Sequence, residues 1–242
     1  MQSVFEPSVV EHEPGDLTCI VDGGLRLSAL QAALGGHEQR FSLDPPGDPT
    51  LEECLLHDLS GPLRHRYGTM RDLVIGVSVV LPDGTRAHSG GKVVKNVAGY
   101  DLGKLYCGSS GRLGTVERLA LRLHPLPAAA ATVSVAAGRW GELHRSGLVP
   151  SAVDIVDDRM LVLFEGAKEA VAEQAVALGG ELADPWADVR ALQATLPGRR
   201  RWDGGSAALV RPGARVAYVE TAADPSWSPL AERVLEAMCN PS

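Results

Sequence analysis

GGKVVKNVAGYDLGKLYCGSSGRLGTVE, residues 90–117, decides how this chain is read. It holds Gly90, Gly91, Gly99, Gly103, Gly108, Gly111 and Gly114, with Lys95, Asn96, Tyr100, Asp101 and Lys104 between them. Glycine reaches positive φ without strain and carries no side chain, so another group can approach the main chain closely. The spacing is poor helix or strand material. Two readings are open: a long glycine-rich surface loop, or a backbone cradle for a large cofactor.

The flanks on both sides read as strands of one sheet. LVIGVSVVLPDGT (73–85) is β-rich and ends at Asp83-Gly84, a hairpin signal, so residues 86–94 are its expected partner. TVERLALRL (115–123) spaces Val116, Leu119, Leu121 and Leu123 in imperfect alternation and returns to the same sheet. Farther upstream DLTCIVD (16–22) reads as a strand. A short helix follows it, with Ser28 and Gln31 as a capping box, Leu27, Leu30 and Leu34 on one face and Gly35-Gly36 as the stop. Pro45, Pro46, Gly47 and Pro49 make 41–50 an irregular loop, and LEECLLHDL (51–59) a short helix.

Downstream, Pro125, Pro127 and the four alanines of 128–131 mark a boundary. Beyond it TVSVAA (132–137) is a strand, and DIVDDRMLVLFEG (154–166) is a hairpin turning near Asp157-Asp158. AKEAVAEQAVAL (167–178) is an amphipathic helix with Val171, Ala175 and Leu178 on one face and Gly179-Gly180 as its stop. RVAYVET (215–221) is another strand. SPLAERVLEAMC (228–239) is a final helix, with Ser228 as N-cap and Pro229 at the first helical position. This order predicts a small antiparallel α+β unit over 128–242.

Composition narrows the partners. A chain of 242 residues with 45% hydrophobic and 22% charged residues buries a substantial core in one or two domains. A net charge of −7 argues against nucleic acid or an anionic membrane as the main partner. Arg199, Arg200 and Arg201, followed by Trp202, form a basic patch, read as a solvated turn or as a phosphate or subunit contact. Cys19, Cys54, Cys107 and Cys239 are widely spaced, so no metal cluster is predicted and free thiols suit a reducing cytoplasm. The seven histidines show no catalytic spacing. With no signal peptide and no apolar run of transmembrane length, the expectation is a cytoplasmic protein that meets a membrane only through a partner.

The same motifs carry a family resemblance. KNVAGYDLGKL followed by CGSSGRLGTVE resembles the FAD-binding module of the PCMH-type, vanillyl-alcohol-oxidase flavoproteins, and within them is most similar to the E-type subunits of glycolate oxidases. The similarity runs back through SGPLRHRYGTMRDLVIGVSVVLPDGT (60–85) to VVEHEPGDLTCIVDGGLRLSALQAAL (9–34), and LRLHPLP (121–127) matches the exit from the flavin domain. LVLFEGAKEAVAEQAVAL (161–178) is more loosely similar to the cap domain. The resemblance implies an α+β protein: the second half of a PCMH-type FAD-binding domain over 1–127, then a small antiparallel α+β cap-like domain over 128–242.

It also implies which residues meet FAD. In the family the loop matching Gly108, Ser109, Gly111, Leu113, Gly114 and Val116 passes FAD with its main chain close. Arg112 stands where the family has threonine, either meeting a phosphate or pointing to solvent. Tyr67, Gly68, Arg71 and Asp72 match family positions, although Arg71 and Asp72 also read as a structural ion pair. Lys95 and Asn96 match the family's KN pair, as cofactor contacts or as a network holding the glycine-rich loop. Thr50, Ser60 and Gly61 complete the implied contacts. No catalytic acid or base can be named.

Two departures bear on FAD. The family module opens with a βαβ half whose glycine-rich loop wraps the pyrophosphate. Residues 1–14 contain no glycine, so that half is expected to be missing. The family's T-x-GG loop reads Thr50-Leu51-Glu52-Glu53 here. Hydrogen bonds to a charged group contribute roughly 1.5–3 kcal/mol each, so losing about three weakens a nanomolar site by several decades. A glutamate beside a phosphate adds a penalty of up to ~4 kcal/mol, which vanishes if Glu52 and Glu53 point to water. The expected function is therefore that of an FAD-binding oxidoreductase component like the E-type subunits of glycolate oxidases. It would work beside a flavin-bearing D-like subunit and an iron–sulfur F-like subunit in oxidising a small 2-hydroxy acid, and would hold FAD weakly or not at all alone. The alternative is a non-catalytic assembly subunit.

Overall fold

The computed structural model describes residues 7–90, 102–205 and 207–221. Its first half runs β1 (Val9–Glu13), β2 (Thr18–Asp22), α1 (Leu27–Gly35), β3 (Gln39–Arg40), α2 (Leu51–Leu56), α3 (Arg64–Tyr67), α4 (Met70–Leu73), β4 (Val74–Val80), β5 (Arg86–Gly90), α5 (Leu102–Tyr106), β6 (Thr115–Arg122) and β7 (His124–Pro125). Five of these strands form an antiparallel sheet in the order β1-β2-β6-β4-β5, and β3 pairs with β7. β6 lies between β2 and β4, with Cys19 opposite Leu121 on one side and Val77 opposite Leu119 on the other. Asp83-Gly84 closes the β4–β5 hairpin as predicted: the Gly84 amide donates to the Leu81 carbonyl, with Gly84 at φ 86°.

One face of this sheet builds the first core. Val21, Val77, Leu119 and Leu121 pack with Leu30 and Leu34 of α1, Leu51, Cys54 and Leu55 of α2, and Met70 and Leu73 of α4. Burial of these apolar side chains drives the assembly. Leu27, Leu30 and Leu34 face inward as their spacing predicts. The cap of α1 differs from expectation. Arg26 is the N-cap, and Ser28 gives its amide and hydroxyl to the Asp48 carboxylate at 2.9 and 2.8 Å. Asp48 sits in the proline loop, so Ser28 ties that loop to the helix.

The second half runs β8 (Ala129–Ala136), α6 (Trp140–Arg145), β9 (Ala152–Val156), β10 (Arg159–Gly166), α7 (Lys168–Leu178), β11 (Glu181–Ala183), α8 (Trp186–Thr195), β12 (Gly198–Arg201), β13 (Leu209–Arg211) and β14 (Val216–Val219). Its seven strands form one antiparallel sheet in the order β11-β8-β10-β9-β13-β14-β12. Alternation splits the apolar residues between two faces. Val133, Val162 and Phe164 meet Val171 and Leu178 of α7. Leu161, Leu209 and Val216 meet Trp186 and Val189 of α8 on the other face. The β9–β10 hairpin turns at Asp157, φ 53°.

The basic run 199–201 is not in a turn. Arg199, Arg200 and Arg201 pair with Tyr218, Ala217 and Val216 of β14 at the sheet edge, so this run is a strand. Charged residues on an edge strand discourage pairing with another chain. The helix predicted at 228–239 lies outside the described residues. Among the described residues, no helix is long and apolar enough to cross a membrane.

Candidate functional site

Two places gather the residues singled out in the sequence. The first is the end of the five-stranded sheet where β2, α2 and β6 meet. Thr50 caps α2: its hydroxyl accepts from the Glu53 amide at 3.2 Å, and the Glu53 carboxylate accepts from the Thr50 amide at 2.7 Å. Glu52, the residue before Glu53, turns inward. Its carboxylate accepts from the Val116 amide at 3.0 Å. The condition under which the anionic penalty vanishes, both glutamates pointing to water, is therefore not met at Glu52.

Residues 108–116 pack against α2. The Gly108 and Ser110 amides donate to the Leu55 and Leu56 carbonyls, at 3.0 and 2.9 Å. Arg112 donates to Ser109, Gly114 to Gly111, and the Tyr106 hydroxyl to the Leu113 carbonyl. Gly108, Gly111 and Gly114 adopt φ of 78°, 77° and 129°, which favour glycine. A side chain at Gly114 would strike the Val80 carbonyl, so its own chain already demands glycine there. Ser109 is fully buried, its hydroxyl without a hydrogen-bond partner.

The second place is the junction of the two sheets. Ser60, Gly61 and Tyr67 lie there. The Arg64 guanidinium donates to the Ser60 hydroxyl, and the Gln193 side-chain amide from α8 donates to the Ser60 carbonyl at 2.8 Å. A side chain at Gly61 would collide with Asp44. Arg40 donates twice to the Glu165 carboxylate, at 2.7 Å each, and once to the Tyr67 hydroxyl at 3.0 Å. Arg66 reaches Ser151 and the Glu165 carbonyl. Tyr67 stacks near His124, which burial and then Arg122, Arg40 and Arg66 push down to about 4.

Deeper in, Arg211 donates to both Asp154 oxygens at 3.1 and 3.2 Å, to the Tyr218 hydroxyl at 2.6 Å and to Gln193 at 2.7 Å. A cavity of about 680 Å³ opens beside this network, lined in part by Asp44, Leu63, Thr132, Glu165, Trp186 and Arg190. That volume lies in the range of small-molecule pockets, roughly 300–1,000 Å³.

Asp44 lines this cavity. Burial pushes it up from 3.8 to about 7, while the Leu63 amide, Arg211 and Arg190 pull it back. The folded state therefore holds a proton that the unfolded chain releases. The stability this gives is complete below the ordinary carboxylate value and is lost as pH rises toward about 7. Asp44→Asn keeps a partner for the Leu63 amide and removes the titration. Between pH 4 and 7, wild type is expected to lose urea resistance relative to Asp44→Asn, and parallel curves would contradict this.

The other predicted residues divide plainly. Gly68, at φ 83°, and Asp72 belong to the start of α4, where the Asp72 carboxylate accepts from the Thr69 amide at 2.8 Å. Asp72 thus caps a helix; the ion pair with Arg71 does not form, and the Arg71 amide donates to the Thr69 hydroxyl. Lys95 and Asn96 lie outside the described residues. Arg40, Asp44, Asp154, Glu165 and Arg211 were not legible as site residues, because single charges in loops and strands carry no spacing signal. Cys19, Cys54 and Cys107 are buried, and none forms a disulfide among the described residues. No metal-holding cluster occurs among the described residues.

Residues 3–90 match the FAD binding domain family. This match makes residues 3–90 similar to a PCMH-type FAD binding domain. The chain is 30% identical to glycolate oxidase subunit GlcE of Escherichia coli, over 72% of this chain and 52% of that one. It is 32% identical to D-lactate dehydrogenase [cytochrome] 1, mitochondrial, of Saccharomyces cerevisiae, over 69% of this chain and 30% of the relative. It thus spans from under a third to about half the length of these two relatives. A solved alkyldihydroxyacetonephosphate synthase shares the fold, with TM-score 0.60 and 18% identity over 71% of this chain and 39% of that one.

The family implies FAD, and the first place tests the fit. A pyrophosphate is held by free main-chain amides. Here Gly23 donates to Glu117, Leu51 to Leu25, Glu52 to Gly23, and Gly108, Ser110, Arg112 and Gly114 to loop or helix carbonyls. Glu53 donates to the Thr50 hydroxyl, and Val116 to a carboxylate. These amides are already used and do not offer themselves to a dinucleotide phosphate, whereas those of Gly24, Gly111 and Leu113 have no acceptor among the described residues.

Proposed function

We propose that this chain is a subunit of an FAD-dependent oxidoreductase complex that oxidises a small 2-hydroxy acid such as glycolate, in the manner of the E-type subunits of glycolate oxidases. The observation that supports it most is the 30% identity to Escherichia coli GlcE across 72% of the chain. The D-lactate dehydrogenase relative, whose name also denotes a 2-hydroxy acid, points to the same substrate class. In this reading the chain works beside a flavin-bearing D-like subunit and an iron–sulfur F-like subunit. It resides in the cytoplasm and meets a membrane only through them. Residues 1–127 form the flavin-module half and 128–242 the cap-like half. Ser60, Gly61 and Tyr67 shape the junction, whereas Thr50 and residues 108–116 serve as scaffold.

The Gly108, Ser110 and Val116 amides, already held by α2, favour a second reading for this chain alone: assembly of the complex, with FAD carried chiefly by the partner. Co-expression with the flavin-bearing and iron–sulfur subunits tests the proposal. The chain is expected to co-purify with them, and glycolate-dependent dye reduction is expected to fall at least about tenfold when it is omitted, a loss of roughly 1.4 kcal/mol or more in assembled function. No co-purification and unchanged dye reduction would contradict it.

A further inference from the structure

Glu52 occupies an unusual position. Its Cα lies at the start of α2, yet its carboxylate crosses to β6 and accepts the Val116 amide at 3.0 Å. Its own amide donates to Gly23, whose amide in turn donates to Glu117. The three segments are drawn together so tightly that a side chain at Gly23 would strike the Val116 carbonyl and crowd Glu52. The carboxylate therefore supplies an acceptor for the Val116 main-chain donor. An external anion approaching this amide would have to displace the Glu52 carboxylate.

We propose that Glu52 is an internal counter-ligand: it holds the Val116 amide and repels phosphate, so the chain excludes FAD from this end of the five-stranded sheet. The proposal rests on the FAD-dependent reading above. Two effects act in the same direction. The donor is already used, and hydrogen bonds to charged groups are the strong ones. The carboxylate also opposes a second anion, and salt screens that repulsion.

The test uses the full chain as wild type, Glu52→Ala, Glu52→Gln and Glu53→Ala, titrated with FAD and followed by flavin fluorescence at low and high salt. Hydrogen exchange at the Val116 amide is a second readout that needs no flavin. Glu52→Ala is expected to bind FAD about tenfold or more tighter than wild type and to exchange the Val116 amide faster. Glu52→Gln keeps an acceptor and loses the charge, so it is expected to gain less affinity, with a flatter salt dependence than wild type. Glu53→Ala loses only the helix cap and is expected to gain nothing. Folded Glu52→Ala and Glu52→Gln proteins with wild-type FAD affinity and unchanged Val116 exchange would overturn the proposal. Tight FAD binding by wild type would overturn it while leaving the FAD-dependent reading standing. FAD absent from chain, variants and assembled complex alike would overturn that reading as well.

Discussion

Asp154→Ala is expected to destabilise the protein by about 3–5 kcal/mol, because it leaves the Arg211 guanidinium buried without its counter-ion. The side chains of Arg211 and Asp154 are 1% and 0% exposed. Burial alone would lower the Arg211 pKa, but Asp154 and Tyr218 outweigh it and hold the group above the ordinary arginine value. Arginine's intrinsic basicity keeps the guanidinium charged even when Asp154 is removed. Tyr218 and Gln193 remain as neutral acceptors and cannot replace a carboxylate. Asp154→Leu combined with Arg211→Met removes both charges and is expected to cost less than Asp154→Ala alone. Urea unfolding followed by circular dichroism measures both. A loss below about 1 kcal/mol in Asp154→Ala would show that the pair is not buried as described.

Glu165→Ala is expected to cost about 3 kcal/mol and to loosen the second sheet from the first. The bidentate Arg40–Glu165 pair is mostly buried, with side-chain exposures of 13% and 6%, and it spans the junction. Arg40 comes from β3 beside the first core, and Glu165 from β10 in the second sheet. Two paired hydrogen bonds of this geometry are stronger and more specific than a single contact. Unfolding of the variant is expected to separate into two transitions, seen when tryptophan fluorescence, all of it from residues 128–242, and the far-ultraviolet signal no longer coincide. A double-mutant cycle with Arg40→Met isolates the pair; a coupling energy near zero would contradict the role given to it.

Much of the scaffold is legible in the sequence because strong local patterns agree with the fold. The alternation of residues 73–80 and 115–123, the Asp83-Gly84 turn and the Val171, Ala175 and Leu178 stripe each appear where expected. The elements that carry no clear signal are short or charged. β13 is three residues ending in Arg211, and its single guanidinium reads as surface until Asp154 is placed beside it. Trp186–Thr195 has apolar residues too sparse to mark a helix, although Trp186 and Val189 are buried against the sheet. Ser28 shows the converse: a capping pattern is present, but Asp48 from a distant loop claims the side chain.

The site is legible as a motif and misleading as geometry. Glycine at 108, 111 and 114 reads as room for a ligand, whereas the chain itself uses the positive φ at all three positions and the missing side chain at Gly114. Glu52 and Glu53 look alike in sequence, yet one caps its own helix and the other crosses to Val116. Side-chain direction at a helix start depends on which neighbour lacks an acceptor, and that neighbour lies 64 residues away.

Whether this chain, folded as described, leaves a flavin phosphate anywhere to dock is open to direct measurement. The quantity to read is the visible absorption of the chain purified alone, after incubation with excess FAD and removal of free flavin. A colourless protein that acquires flavin only on joining its flavin-bearing partner is the expected result. A yellow protein carrying one FAD per chain would contradict it.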